Sequence, residues 1–374
     1  MRIFQENETV IIKKLFVDAN VRTHPEARRI VANIGLAPEW VDDPISLYQW
    51  ISAADDPVSR GKSVLYLTRN RGGFLKPCPG TREYTCCDYQ ILHVASFCTM
   101  DCSYCILQSY FHPPMLQFFI NREDLDRDLD TLFARTQVSR VGTGEFSDSL
   151  IWESWTDLTD HLVFRFSQQQ RAVLELKTKT VNIQRLEKLD HQRKTIVSWS
   201  LNTPTVMKSE ERRTASLDAR LSAAAQCQQW GYPLAFHFDP MIIYKGCEEE
   251  YRQVVKQLFQ RISPENIVWI SLGTFRFMPA LKPVIAQRFP RSKIPYGEFI
   301  TGLDNKMRYF KPLRIALYRR MADWIREAAP QVRVYYCMED DAVWQQTMGF
   351  VPSADGGLGR LLDDSAIRVC GLNP

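Results

Sequence analysis

Several things are scarce in this sequence, and the scarcities exclude classes of protein. No run approaches the roughly 20 apolar residues that cross a bilayer, so no spanning helix and no membrane partner are expected. The opening stretch, MRIFQENETVIIKKLF, lacks the apolar core and small-residue cleavage site of a secretory leader, which predicts a cytoplasmic protein. Charge is nearly balanced, with 47 Lys+Arg against 43 Asp+Glu leaving +4, so charge alone does not announce a nucleic-acid binder. Low-complexity tracts are missing as well. What remains is 374 residues, 45% hydrophobic and 24% charged, which suits a soluble enzyme with a large core, expected as a monomer.

Cysteine, by contrast, is plentiful, and three of the ten lie within eight residues: Cys98-x3-Cys102-x2-Cys105. In a reducing compartment, clustered thiols point to metal ligation or catalysis before disulfides. Thiolates are the ligands of iron–sulfur clusters, and a [4Fe–4S] cluster held by only three of them leaves one iron open. A zinc site would need a fourth ligand in regular spacing, and the nearest candidates are the adjacent Cys86 and Cys87. Cys78, Cys86 and Cys87 have no recognised cluster spacing, and the other cysteines read as buried thiols.

From Tyr89 onward, strand-like runs (Gln90–Ala95, Arg140–Thr143, Val173–Thr178, Thr195–Leu201, Pro233–Phe238, Ile267–Leu272) alternate with helix-forming stretches (Arg122–Arg135, Trp152–Gln170, Leu217–Trp230, Glu248–Arg261). Such alternation predicts βαβ units and a parallel sheet. Six units fit a partial (β/α)6 TIM-like barrel; a doubly wound sheet fits the same rhythm. The expected division is an N-terminal segment (1–88), the barrel (89–280) and a C-terminal α/β cap (281–374). Polar residues recur where the strands end, among them Glu145, Ser147, Lys179, Ser200, Asn202, His237 and Asp239, and strand C-termini form the active face of such barrels. In the cap, Lys306, Arg308, Tyr309, Lys311 and Arg314 interleave cations with an aromatic, a pattern that suits phosphate contact and base stacking.

The three-cysteine loop, with Tyr104 just before the last thiol, resembles the radical S-adenosylmethionine (radical SAM) superfamily. The wider set Cys102-Ser-Tyr104-Cys105-Ile106-Leu-Gln108, Thr178-Lys179, Trp199-Ser200-Leu201-Asn202, Gly231-Tyr232-Pro233, Asp239-Pro240, Trp269–Phe277 and Lys306–Arg314 resembles, in order, the spore photoproduct lyase family. That resemblance implies a [4Fe–4S] cluster on Cys98, Cys102 and Cys105, and SAM held by Ser147, Lys179, Ser200 and Asn202, with Lys179 on its carboxylate. It implies a 5′-deoxyadenosyl radical, a pyrimidine lesion in DNA as substrate, and a low-potential electron donor such as flavodoxin or ferredoxin. Tyr104 matches a tyrosine implicated near the radical. Lys177 shares the parity of Lys179 and competes for its role.

Two positions depart from the family. Glu145 stands where a hydrogen-donating cysteine is expected, and Ile106 where a tyrosine is expected. Gly142-Thr143-Gly144-Glu145 instead resembles the turn that receives the SAM amino group in radical SAM proteins, so Gly144 and Glu145 are assigned to the cofactor. His237 and Asp239 fall on one face of their strand and suit proton transfer on a polar substrate. Cys337 is the candidate replacement thiol. The alternative activity is hydrogen abstraction from a non-DNA small molecule or peptide.

Overall fold

A computed structural model describes residues 12–81 and 83–373; the first eleven residues, on which the reading of the N-terminus partly rests, lie outside them. The main sheet has eight strands in simple sequence order: β1 (Leu75–Pro77), β2 (Gln90–Leu92), β3 (Ser139–Gly142), β4 (Ala172–Thr178), β5 (Thr195–Ser200), β6 (Leu234–Met241), β7 (Ile267–Thr274) and β8 (Val334–Tyr336). From β2 to β8 every neighbouring pair is parallel, and β1 adds an antiparallel edge. The six strands expected from the sequence are all present, and so are the helices Arg122–Phe133, Leu158–Ser167, Leu217–Gln229 and Cys247–Arg261 between them. The β4–β5 crossover has only a short 3-10 turn, Gln184–Lys188. The central strands are buried on both faces, β5 and β7 along their whole length, because crossover helices cover the outer side.

Strand pairing crosses the expected domain bounds at both ends. β8 lies beyond residue 280 yet pairs with β7 along Ile270–Leu272, so the C-terminal region contributes a strand to the barrel sheet. At the other end, a second sheet contains Lys14–Asp18, Pro38–Val41, Val64–Thr68, Ala95–Ser96 and Leu116–Phe119. Its last two strands bracket the three-cysteine loop, so the N-terminal segment is built into the cluster region. Neither junction could be read from periodicity, because both depend on which distant strands pair.

One buried carboxyl carries a pH dependence. Glu153 precedes the helix Leu158–Ser167 and is 8% exposed, with Thr159 as its hydrogen-bond partner. Burial pushes its pKa from 4.5 to about 7. Between those values the unfolded chain is ionised there and the folded chain is not, so stability falls as pH rises across the window. The upper bound is about 3 kcal/mol. Glu153→Gln should remove that slope and leave the variant about 1–3 kcal/mol more stable than the parent above pH 7. Urea midpoints at pH 5 and pH 8 read it out; parallel shifts at both pH values would refute the assignment. No helix is long and apolar enough to cross a membrane among the described residues.

Candidate active site

The three cysteines sit on a loop held from several directions. Met100 N donates to Cys98 Sγ at 3.4 Å, and Gln108 Nε2 donates to the carbonyls of Cys102, Ser103 and Cys105. Two buried cations close over the loop. Lys62 Nζ donates to Cys98 O at 2.9 Å and also to Met100 O, and lies 4.6 Å from the Phe97 ring centroid. Arg288 reaches Asp101 at 3.0 Å, Asp56 at 3.1 Å and Gln108. Neither cation was legible as functional in the sequence, since each lies far from the motif along the chain.

This donor set fits a cluster. Each thiol takes a separate iron in a cubane, so the sulfurs need not meet at one point. Among the described residues, no three His, Cys, Asp or Glu side chains do close around a single ion. Lys62 faces the loop with positive charge, while Arg288 is countered by Asp56 and Asp101 and braces it. A second strand of chain supports the loop: Asp101 N donates to Arg212 O at 3.0 Å, and Ser103 N to Glu210 O at 2.9 Å. Below it, Tyr104 donates its hydroxyl to Glu211, and Glu211 pairs with the fully buried Arg220 at 2.6 Å. Burial raises the Glu211 carboxyl, but the Arg220 and Lys179 charges outweigh it and hold the carboxyl below its usual range. Tyr104 is pushed well above the ordinary phenol value, first by burial and then by the Glu211 charge.

Lys179 lies just past the end of β4, with Nζ 5.9 Å from the Tyr104 ring centroid. Among the described residues its ammonium has no ion-pair or hydrogen-bond partner. Its competitor is settled differently: Lys177 pairs with Glu145, and the carboxylates of Glu145 and Glu175 hold its pKa up against burial. Asp148 positions Lys179. Its carboxylate is buried and accepts from the Lys179 and Leu150 backbone N–H groups and the Thr178 hydroxyl, tying the loop after β3 to the end of β4. The sequence reading missed Asp148, although it sits next to Ser147.

The remaining cofactor candidates separate. Ser147 is occupied by Trp152 Nε1 at 3.1 Å and its neighbour's carbonyl. Asn202 donates to Pro240 O and accepts from Thr203 N and Tyr251 OH, so its side chain holds the fold together at 1% exposure. Ser200 ends β5, with its carbonyl held by Arg220. Gly144 packs so closely on Lys177 that a Cβ there would lie 2.7 Å from the Lys177 Cβ. Glu145, assigned to the cofactor from sequence, is drawn to Lys177.

His237 and Asp239 both face the barrel interior but do not pair with each other. His237 binds Glu175 at 2.6 Å through Nε2 and Ser271 at 2.7 Å through Nδ1. Burial raises Glu175, yet His237 and Lys177 outweigh it and bring the carboxyl to about 2. Asp239 instead takes both terminal nitrogens of Arg276, at 3.0 and 3.1 Å, and Arg276 Nη2 also donates to Cys337 Sγ at 3.2 Å. The barrel mouth therefore carries a chain of compensated charges, with Cys337 at its far end.

Three of the five residues of the basic-aromatic stretch are enclosed, while Lys306 and Lys311 stay partly exposed. Arg308 is 2% exposed, pairs with Asp304 at 2.7 Å, donates to Met338 O and covers the Tyr84 ring at 3.9 Å. Tyr309 is buried and accepts from Ile243 N; Arg314 is buried against Glu339 at 3.0 Å. Lys306 and Lys311 pair with Asp304 and Asp340. Arg308, Tyr309 and Arg314 thus form internal ion pairs and packing, not a DNA-facing surface. The strand Met307–Tyr309 is the middle of a three-stranded sheet, which is why its side chains are enclosed.

Comparisons with known proteins agree with this geometry. The family model described as "Spore photoproduct lyase" matches residues 83–336. The spore photoproduct lyase of Clostridium acetobutylicum is 25% identical over 254 residues, covering 67% of this chain and 71% of that protein. The Bacillus subtilis protein of the same name is 28% identical over 210 residues, covering 54% and 61%. A solved spore photoproduct lyase mutant with bound AdoMet and dinucleoside spore photoproduct superposes with TM-score 0.78 at 20% identity, over 88% of this chain and all of that one. At that identity the likeness establishes the fold, a curled partial barrel.

Proposed function

Because the chain belongs to the spore photoproduct lyase family, we propose that it is a radical SAM lyase acting on a pyrimidine photoproduct in DNA. Cys98, Cys102 and Cys105 would hold the [4Fe–4S] cluster, which supplies the electron that cleaves SAM. The observation that carries the cofactor reading is Lys179: a half-buried, unpartnered ammonium at a strand end beside the cluster loop. Its neighbours Tyr104 and Glu211 are already paired to each other, so its free charge is directed at a ligand. A SAM carboxylate is opposite to it in charge and small enough to meet it. Ser200 and the Gly144 backbone lie on the same strand-end face and complete the ligand shell. Glu211 and Arg220 hold Tyr104 in place, and Lys62 and Arg288 keep the cluster loop in register.

A second substrate class is favoured by one observation: the Glu145–Lys177, Glu175–His237 and Asp239–Arg276 pairs line the barrel mouth. Such a wall suits a polar substrate, with both His237 ring nitrogens already held, by Glu175 and Ser271. A DNA lesion would have to leave the base stack to reach such a buried site, whereas a small polar substrate would not. The test is anaerobic reconstitution, reduction with SAM present, and addition of dinucleotide spore photoproduct. The expected products are 5′-deoxyadenosine and thymidylyl-thymidine. 5′-Deoxyadenosine without thymidylyl-thymidine would favour the polar-substrate reading, and neither product would overturn both.

A further inference from the structure

Seven cysteines lie outside the cluster loop, and they divide sharply. Cys227, Cys247 and Cys370 are scattered singly through the core. The other four, Cys78, Cys86, Cys87 and Cys337, wall one small cavity of about 10 Å³, with Thr81 and Thr85 beside them. They come from opposite edges of the main sheet. Cys78 to Cys87 is the loop between β1 and β2, and Cys337 directly follows β8. A partial barrel has two unpaired edges, and here those edges meet: Thr85 N donates to Glu339 O at 3.1 Å across the gap. Four thiols converging from residues 250 apart need a cause beyond local sequence.

We propose that Cys78, Cys86, Cys87 and Cys337 form a second, thiolate-ligated metal centre that clasps the open edges of the barrel. The gap is too small for an organic ligand, whereas a metal bonded directly to sulfur needs no cavity of its own. The loop is built to adjust. It carries Pro79 and Gly80, Cys86 is exposed, and a Cβ at Gly80 would come within 3.2 Å of Cys86 Sγ, so glycine leaves the thiol free to turn inward. Because no three of these groups meet at one point as the chain stands, ligation draws Cys86 toward the others. Arg276 already donates to Cys337 Sγ, the kind of N–H···S bond that stabilises a metal thiolate. Forming the centre converts four S–H groups to thiolates and releases up to four protons to solvent. Cys337 would then have no S–H to give, which excludes the hydrogen-donor role suggested for it from sequence.

The test uses the full chain, purified without oxygen and reconstituted with iron and sulfide. In a C98A/C102A/C105A variant, about one metal ion per chain should remain, roughly one-fifth of the parent's iron plus zinc. Adding C78A/C86A to that variant should lower bound metal about tenfold or more. One metal ion per chain without sulfide supports the centre; iron with equimolar sulfide, a cluster that the cavity of about 10 Å³ cannot hold, counts against it. Loss of all metal in the triple variant, or a Cys86–Cys87 disulfide in the anaerobic parent, would overturn it. If the triple variant does not fold, C78A/C86A in the parent should lower bound metal by about one ion per chain while the charge-transfer absorption of the first cluster persists. Unchanged metal content in that double variant would equally end the proposal.

Discussion

Arg220→Met should lower the unfolding free energy by about 3–5 kcal/mol, the usual cost of removing one partner from a buried ion pair. Arg220 and Glu211 are 0% and 1% exposed, so the abandoned carboxylate would have no water to turn to. Arg220 also donates to Ser200 O at 2.8 Å and Ala215 O at 2.9 Å, two more acceptors left empty. The damage should reach the cluster, because Glu211 holds Tyr104 between two of the cluster cysteines. Iron retained per chain should therefore fall together with the urea midpoint. The double variant Arg220→Met, Glu211→Leu removes both charges and should recover part of the loss. If the double variant is no more stable than the single one, the pair is not the source of the cost.

Lys179→Ala should weaken SAM binding by about 10- to 150-fold, equivalent to the 1.5–3 kcal/mol of a hydrogen bond to a charged group. Iron content should stay at the parent level, since Lys179 touches neither the loop backbone nor its clamps. Lys177→Ala is the informative control. Lys177 is already spent on Glu145, so its loss should disturb the barrel mouth while SAM affinity changes far less. Equal weakening by both substitutions would show that the two lysines were assigned the wrong way round. Calorimetric titration with SAM on the anaerobic protein, with its cluster left unreduced so that SAM stays intact, separates the outcomes.

The amino-acid sequence by itself determined what is written in neighbouring residues. Cys98, Cys102 and Cys105 are a few residues apart, so their shared purpose shows in their spacing. The six strand-and-helix units show too, because amphipathic and buried runs are local patterns. Lys179 could be singled out as a strand-end cation, though not chosen over Lys177. Only the tertiary structure made that choice, by placing Glu145 against Lys177. It likewise gave His237 to Glu175 instead of Asp239, and buried Arg308, Tyr309 and Arg314 in a small sheet. Ion pairing and burial depend on strand order and register, which bring together residues dozens to hundreds of positions apart. The four thiols at the barrel's edges are the extreme case. Cys78, Cys86 and Cys87 mean little along the chain until β8 carries Cys337 to them, because a curled sheet brings the loops at its two edges together and a sequence does not.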